Sequence, residues 1–81
     1  MQGPAARAKI IWKNFGRDVR DCRERHAMTL RRMSADFGID RSTLSRAENG
    51  KPISPELFVW LADWAGHDTR DYLAPLYIRP R

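Results

Sequence analysis

The chain has 81 residues, a single cysteine and a net charge of +5 from fifteen Lys/Arg against ten Asp/Glu. That length supports one domain with a modest core, which favours association with a second copy, and Cys22 alone excludes an intramolecular disulfide and a cysteine-rich metal site. No apolar run approaches the roughly twenty residues of a membrane span, and Met1-Gln-Gly-Pro-Ala lacks the apolar region of a signal peptide, so a cytoplasmic protein with no membrane partner is expected.

The cations are unevenly spread. Residues 1–53 hold twelve Lys/Arg against six Asp/Glu, and residues 54–81 hold three against four. A polyanion is therefore expected to meet the amino-terminal part, and a neutral protein surface the rest.

Residues 3–13 follow Pro4 with Ala5, Ala8, Ile11 and Trp12 at near-helical spacing, while Arg7 and Lys9 would also suit a basic arm. The reading is an amino-terminal arm or short helix over 1–13. Asn14 can cap a helix over residues 15–26, whose inner stripe is Phe15, Val19, Cys22 and His26. On that stripe Cys22 reads as a buried structural thiol. The outer face, Arg17, Asp18, Arg20, Asp21, Glu24 and Arg25, pairs opposite charges at helical spacing and reads as a solvated surface.

Thr29 is the natural cap of the next helix, with Leu30, Met33, Ser34 and Phe37 on one face. Gly38 supplies a left-handed residue that ends it sharply, Ile39 returns to the core, and Asp40 caps a further helix with Leu44 and Ala47 inward. Left outward are Arg41, Ser42, Thr43, Ser45 and Arg46, residue types that read base edges and phosphates. Arg41, Ser42 and Arg46 lead as base readers, because an arginine fork matches guanine O6 and N7 with two hydrogen bonds. Thr43 either touches a thymine methyl or simply caps, and Ser45 binds either a phosphate or water. Arg31 and Arg32 oppose the dipole at the start of their helix, a mild cost that is intelligible beside a phosphate.

Ser54-Pro55-Glu56 starts a helix running to about Ala65, with Phe58, Leu61, Ala62 and Ala65 toward the core. Leu57, Trp60 and Trp64 widen its apolar surface beyond one core contact. Thr69 caps a last short helix through Leu73, Pro75 breaks it, and Leu76-Tyr77-Ile78-Arg79-Pro80-Arg81 reads as an extended tail. The expected fold is all-α, a bundle of about five short helices. Neither His26 nor His67 has a metal-ligand partner at useful spacing, and no Ser/His/Asp or paired-carboxylate arrangement stands out, so no enzyme, metal or cofactor is expected.

The run Met-Thr-Leu-Arg-Arg-Met-Ser-Ala-Asp-Phe-Gly-Ile-Asp-Arg-Ser-Thr-Leu-Ser-Arg-Ala-Glu-Asn-Gly-Lys, from Met28 to Lys51, resembles the helix-turn-helix core of the phage-repressor, Cro and Xre type regulators. Its ending, Ser-Arg-Ala-Glu-Asn-Gly-Lys, is the specific part. The resemblance covers roughly residues 15–72 and implies a lambda-repressor-like DNA-binding domain, set here at 14–73, with 74–81 as a tail. It also implies that Asn49 and Lys51 approach the DNA backbone, and that Glu48 pairs inside the fold with Arg23. Three departures stand out: Leu30 replaces a Gln that touches phosphate, Ser34 a small Ala at the helix crossing, and Ala27 a Gly after the first helix.

The function so implied is a small homodimeric repressor that binds double-stranded DNA at a pseudo-palindromic operator through the major groove. One recognition helix contacts too few bases to select an operator, and the expected dimer contact is the apolar carboxy-terminal part, Trp60, Trp64, Leu76, Tyr77 and Ile78. The alternatives are an antitoxin-type autorepressor that also binds a protein partner, and a controller that activates transcription.

Overall fold

Four amphipathic segments become α-helices in the computed structural model, which describes residues 8–75: α1 Trp12–Arg25, α2 Leu30–Phe37, α3 Arg41–Glu48 and α4 Pro55–Trp64. A 3-10 helix, Thr69–Tyr72, follows α4, and two short strands, β1 Ala8–Ile10 and β2 Leu73–Pro75, flank the helical part.

The strands correct the all-α expectation. Where 3–13 was read as an arm or short helix, Lys9 pairs with Ala74 and Ile10 with Leu73 in an antiparallel ribbon, continued by the Ile11 amide donating to the Tyr72 carbonyl at 2.7 Å. Ile10 then packs on the core beside Trp12, and long-range backbone pairing outweighs the weak local helical spacing. Pro75 fits because it stands at the end of a strand in a ribbon of only two.

Helix α1 starts three residues earlier than an Asn14 cap would place it. Ile11 is the cap residue and offers no side-chain bond. The start is set instead by Trp12, whose ring meets Phe15 at 5.8 Å and Phe58 at 5.1 Å between centroids. The five-helix count also changes, because the last segment is a 3-10 helix closed by Asp68, not Thr69. Asp68 accepts from the Arg70 amide at 2.8 Å while Asp71 accepts from the Asp68 amide at 3.1 Å.

The core is one cluster of Phe15, Val19, Met33, Ile39, Leu44, Ala47, Phe58, Leu61, Ala62 and Tyr72. Each helix contributes inward residues, so no helix buries its apolar face alone, but His26, expected on the inner stripe of the first helix, is exposed just past the end of α1. Cys22 is buried, within 3.9 Å of the Trp64 carbonyl. Asp18 does more than solvate a surface, because its Oδ2 accepts the Tyr72 hydroxyl at 2.8 Å and lies 3.6 Å from His67 Nε2. Among the described residues no helix is long and apolar enough to cross a membrane. The expected tail contacts Leu76, Tyr77 and Ile78 lie outside the described residues.

Candidate nucleic-acid interface

Helices α2 and α3 meet at Gly38, which sits in the left-handed region at φ 68°. A side chain there would strain the turn, and glycine removes that cost. The turn is fastened by Ser34, whose hydroxyl donates to the Ile39 carbonyl at 2.5 Å. Ser34 thereby spans the bend with a bond that an alanine could not make. Thr29 accepts from the Arg32 amide at 3.0 Å and starts α2. Asp40 stands at the cap position of α3 but makes no side-chain capping bond, contrary to the role read for it.

Leu44, Ala47 and Glu48 turn α3 inward, leaving Arg41, Ser42 and Arg46 exposed and Thr43 and Ser45 half-buried. Arg46 donates to the Pro52 carbonyl at 3.3 Å, which holds its guanidinium along the edge of α3. Thr43 and Arg46 form one wall of a shallow cleft of about 440 Å³ closed by Pro52, Ile53 and Leu57. Thr43 therefore sits against that cleft more than on the outer face.

The four residues read as phosphate contacts differ in what they already hold. Arg32 is engaged with Asp36 at 3.0 Å, an exposed i,i+4 pair, whereas Arg31 is exposed with no ion-pair partner among the described residues. Asn49 donates its side-chain amide to the Ser45 carbonyl at 2.8 Å and so satisfies the carboxy-terminal turn of α3. Lys51 is exposed in the following loop, its backbone amide bound to the Arg46 carbonyl at 2.9 Å.

Beneath this surface Glu48 is nearly sealed, with 2% of its side chain exposed. Arg23 closes on it with two hydrogen bonds, Nε to Oε2 at 2.7 Å and Nη2 to Oε1 at 3.0 Å. The remaining Nη1 donates to the Met28 carbonyl at 2.8 Å. One guanidinium thus ties α3 to α1 and to the loop that leads into α2. The hydrogen bond to Glu48 raises the Arg23 pKa above its ordinary value, partly opposed by burial. Arg20 reaches the same carboxylate at 3.4 Å, a partner the sequence reading did not assign.

A second feature went unread. Gly16 lies where α1 crosses α3, and a Cβ there would run into the Ala47 carbonyl oxygen. A glycine inside an amphipathic helix is the only signal of it in the sequence. On α4, Trp60 and Trp64 both pack on Phe37, at centroid distances of 4.8 and 5.3 Å. Trp64 is half-buried, while Trp60 stays 48% and its neighbour Val59 56% exposed.

Among the described residues no three His, Cys, Asp or Glu side chains are grouped so as to hold a metal ion. A family model described as helix-turn-helix matches residues 19–63, the stretch that contains α2, α3 and their Arg23–Glu48 support. No curated protein and no solved structure matches the chain.

Proposed function

This chain belongs to the helix-turn-helix family of the Xre and lambda-repressor type, a family of DNA-binding transcription regulators, and from that premise we propose that it is a small homodimeric repressor of a pseudo-palindromic operator. The observation that carries the reading is α3 itself. Its outward residues Arg41, Ser42 and Arg46 stand on a helix fixed from below by the buried Arg23–Glu48 pair. A reading helix held this way enters the major groove without first paying to order its support.

In this reading Arg41, Ser42 and Arg46 contact base edges, with Thr43 and Ser45 secondary, and Arg31, Arg32, Asn49 and Lys51 take phosphates. The exposed Val59–Trp60 surface supports a dimer contact on the carboxy-terminal part, made by Trp60 and Trp64 together with Leu76, Tyr77 and Ile78. Helix α2 carries Arg31 and the Arg32–Asp36 pair on its exposed side, not an acidic patch, which favours repression over contact with polymerase. The same exposed surface also suits the antitoxin-type reading, in which a protein partner covers it. A cytoplasmic location follows from this role.

Selection of bound sequences from a random duplex pool tests the proposal. The expected result is an enriched inverted repeat with G·C pairs at fixed positions and half-sites about ten base pairs apart, centre to centre. Sedimentation should give a dimer that Trp60→Ala shifts toward monomer. A pool that stays random after several rounds, or an enriched site with no repeat bound by one chain, overturns it.

A further inference from the structure

We propose that a groove between α1 and the turn after α3 is a second contact for the DNA phosphate backbone, made by Lys13, Arg17 and Arg20. The inference rests on the DNA-binding reading above and extends it to a helix face that sequence alone marks only as solvated. Positions 13, 17 and 20 are spaced i, i+4, i+7 and so share one face of α1. That face forms one wall of a groove of about 420 Å³, with Asn49 and Gly50 opposite.

Close approach fixes the geometry. Gly50 has φ 77° and no side chain, and a Cβ added there would come within 3.3 Å of the Lys13 Cα. The turn therefore lies directly on the start of α1, with Lys51 next in the chain.

The charge balance is positive. Glu48 in the groove is held by Arg23 and reached more loosely by the half-exposed Arg20 at 3.4 Å, so Asp21 is the one lining acid without an ion pair among the described residues. Arg17 reaches its neighbour Asp18 at 3.4 Å, but Arg17 is 61% exposed, and an ion pair so open to solvent holds a side chain weakly. Asp18 is already committed to the Tyr72 hydroxyl through its other oxygen.

Position supplies the ligand. A duplex read by the outer face of α3 carries its phosphates past both ends of that helix, and the carboxy-terminal end repels anions through its dipole. Cations borrowed from α1 at that end offset the repulsion. Three cations line this one groove beside Asn49, with Lys51 next in the chain.

The test is binding of the full chain to a duplex selected from the random pool and to a scrambled duplex, between 50 and 200 mM salt, concentrations over which phosphate contacts show clearly. Replacing Lys13→Gln and Arg17→Gln together should lower the slope of log affinity against log salt by about 0.9 per lost contact, close to two in all. The loss should be equal on both duplexes and leave the selected sequence unchanged. Each single variant should lose about half as much, which keeps the test open if the double variant folds poorly. Lys9→Gln, an exposed cation on β1, should leave the slope as it is. An unchanged slope in a chain that still binds DNA overturns the groove contact and leaves the regulator reading intact. An equal fall with Lys9→Gln, or a changed sequence preference, also overturns it. A wild-type chain that binds neither duplex overturns both readings.

Discussion

Gly16 of α1 lies under the Ala47 carbonyl of α3 so closely that no β-carbon fits between them. Backbone meets backbone at this crossing, and neither side can give way by a side-chain rotation. Gly16→Ala should therefore cost about 1–3 kcal/mol through overpacking, despite the better helix propensity of alanine. Chemical denaturation measures the loss, and operator affinity should fall with it because α3 is the element displaced. A stabilised Gly16→Ala protein would mean that the helices are further apart than this crossing requires.

The buried Arg23–Glu48 pair makes a separate demand. With Glu48 sealed and Arg23 also donating to the Met28 carbonyl, Glu48→Gln leaves a guanidinium without its countercharge. Breaking a buried pair from one side typically costs about 3–5 kcal/mol. Thermal unfolding should show a large drop in midpoint for Glu48→Gln and a small one for Arg20→Gln, whose contact to Glu48 is longer and whose side chain is 47% exposed. Equal drops would assign the support to both arginines.

Most of the motif was legible because its signals are local. Thr29, Gly38 and Ser54 each act within a few residues of themselves, and the stripes of α2, α3 and α4 repeat at helical spacing. The Arg23–Glu48 pairing came from the resemblance, since no local rule joins residues on different helices. What remained hidden depends on chain segments meeting in space. The pairing of Lys9 with Ala74 cannot be read near either residue. The same holds for Asp18, which looks like one more surface acid until Tyr72 arrives from the far end of the domain to donate to it. Asp40 failed in the opposite sense, because a good capping residue stood at the right place and made no bond.

Ala27 occupies the left-handed region at φ 55°, where its Cβ crowds the backbone. The conformation costs an L-residue roughly 1–2 kcal/mol, and glycine recovers most of it while adding chain entropy to the unfolded state. Ala27→Gly should raise stability by up to about 1 kcal/mol and leave DNA binding unchanged. A lower melting midpoint would show that the Ala27 side chain contributes contacts worth more than the strain.

The Tyr72 hydroxyl is pushed well above its ordinary pKa, first by burial and then by its hydrogen bond to Asp18. The folded chain thus keeps a proton that the unfolded chain releases near pH 10. Its contribution to stability is complete below about pH 10 and is lost as the pH rises beyond that, because unfolding then releases the proton. Tyr72→Phe should melt lower at neutral pH, having lost a hydrogen bond of about 1 kcal/mol, yet decline less steeply in alkali. Parallel alkaline declines for the two proteins would assign the effect to other groups.

Reading bases and holding phosphates predict different failures for Arg46 and Lys51. Arg46 is exposed on α3 and its guanidinium is steadied by the Pro52 carbonyl at 3.3 Å. Under the proposed reading it would meet the groove with part of its rotamer entropy already removed, which suits a bidentate contact to guanine. Arg46→Ala should narrow the gap between operator and random duplex, at about 1–3 kcal/mol for the lost contact. Lys51 lies in the loop, exposed and free of ion pairs among the described residues, and a flexible ammonium acts on a phosphate as a point charge. Lys51→Ala should weaken binding to both duplexes alike and lower the salt slope by roughly one contact. Titrations of the two variants on both duplexes at two salt concentrations separate the cases, and equal losses everywhere would refute the division of labour between helix and loop.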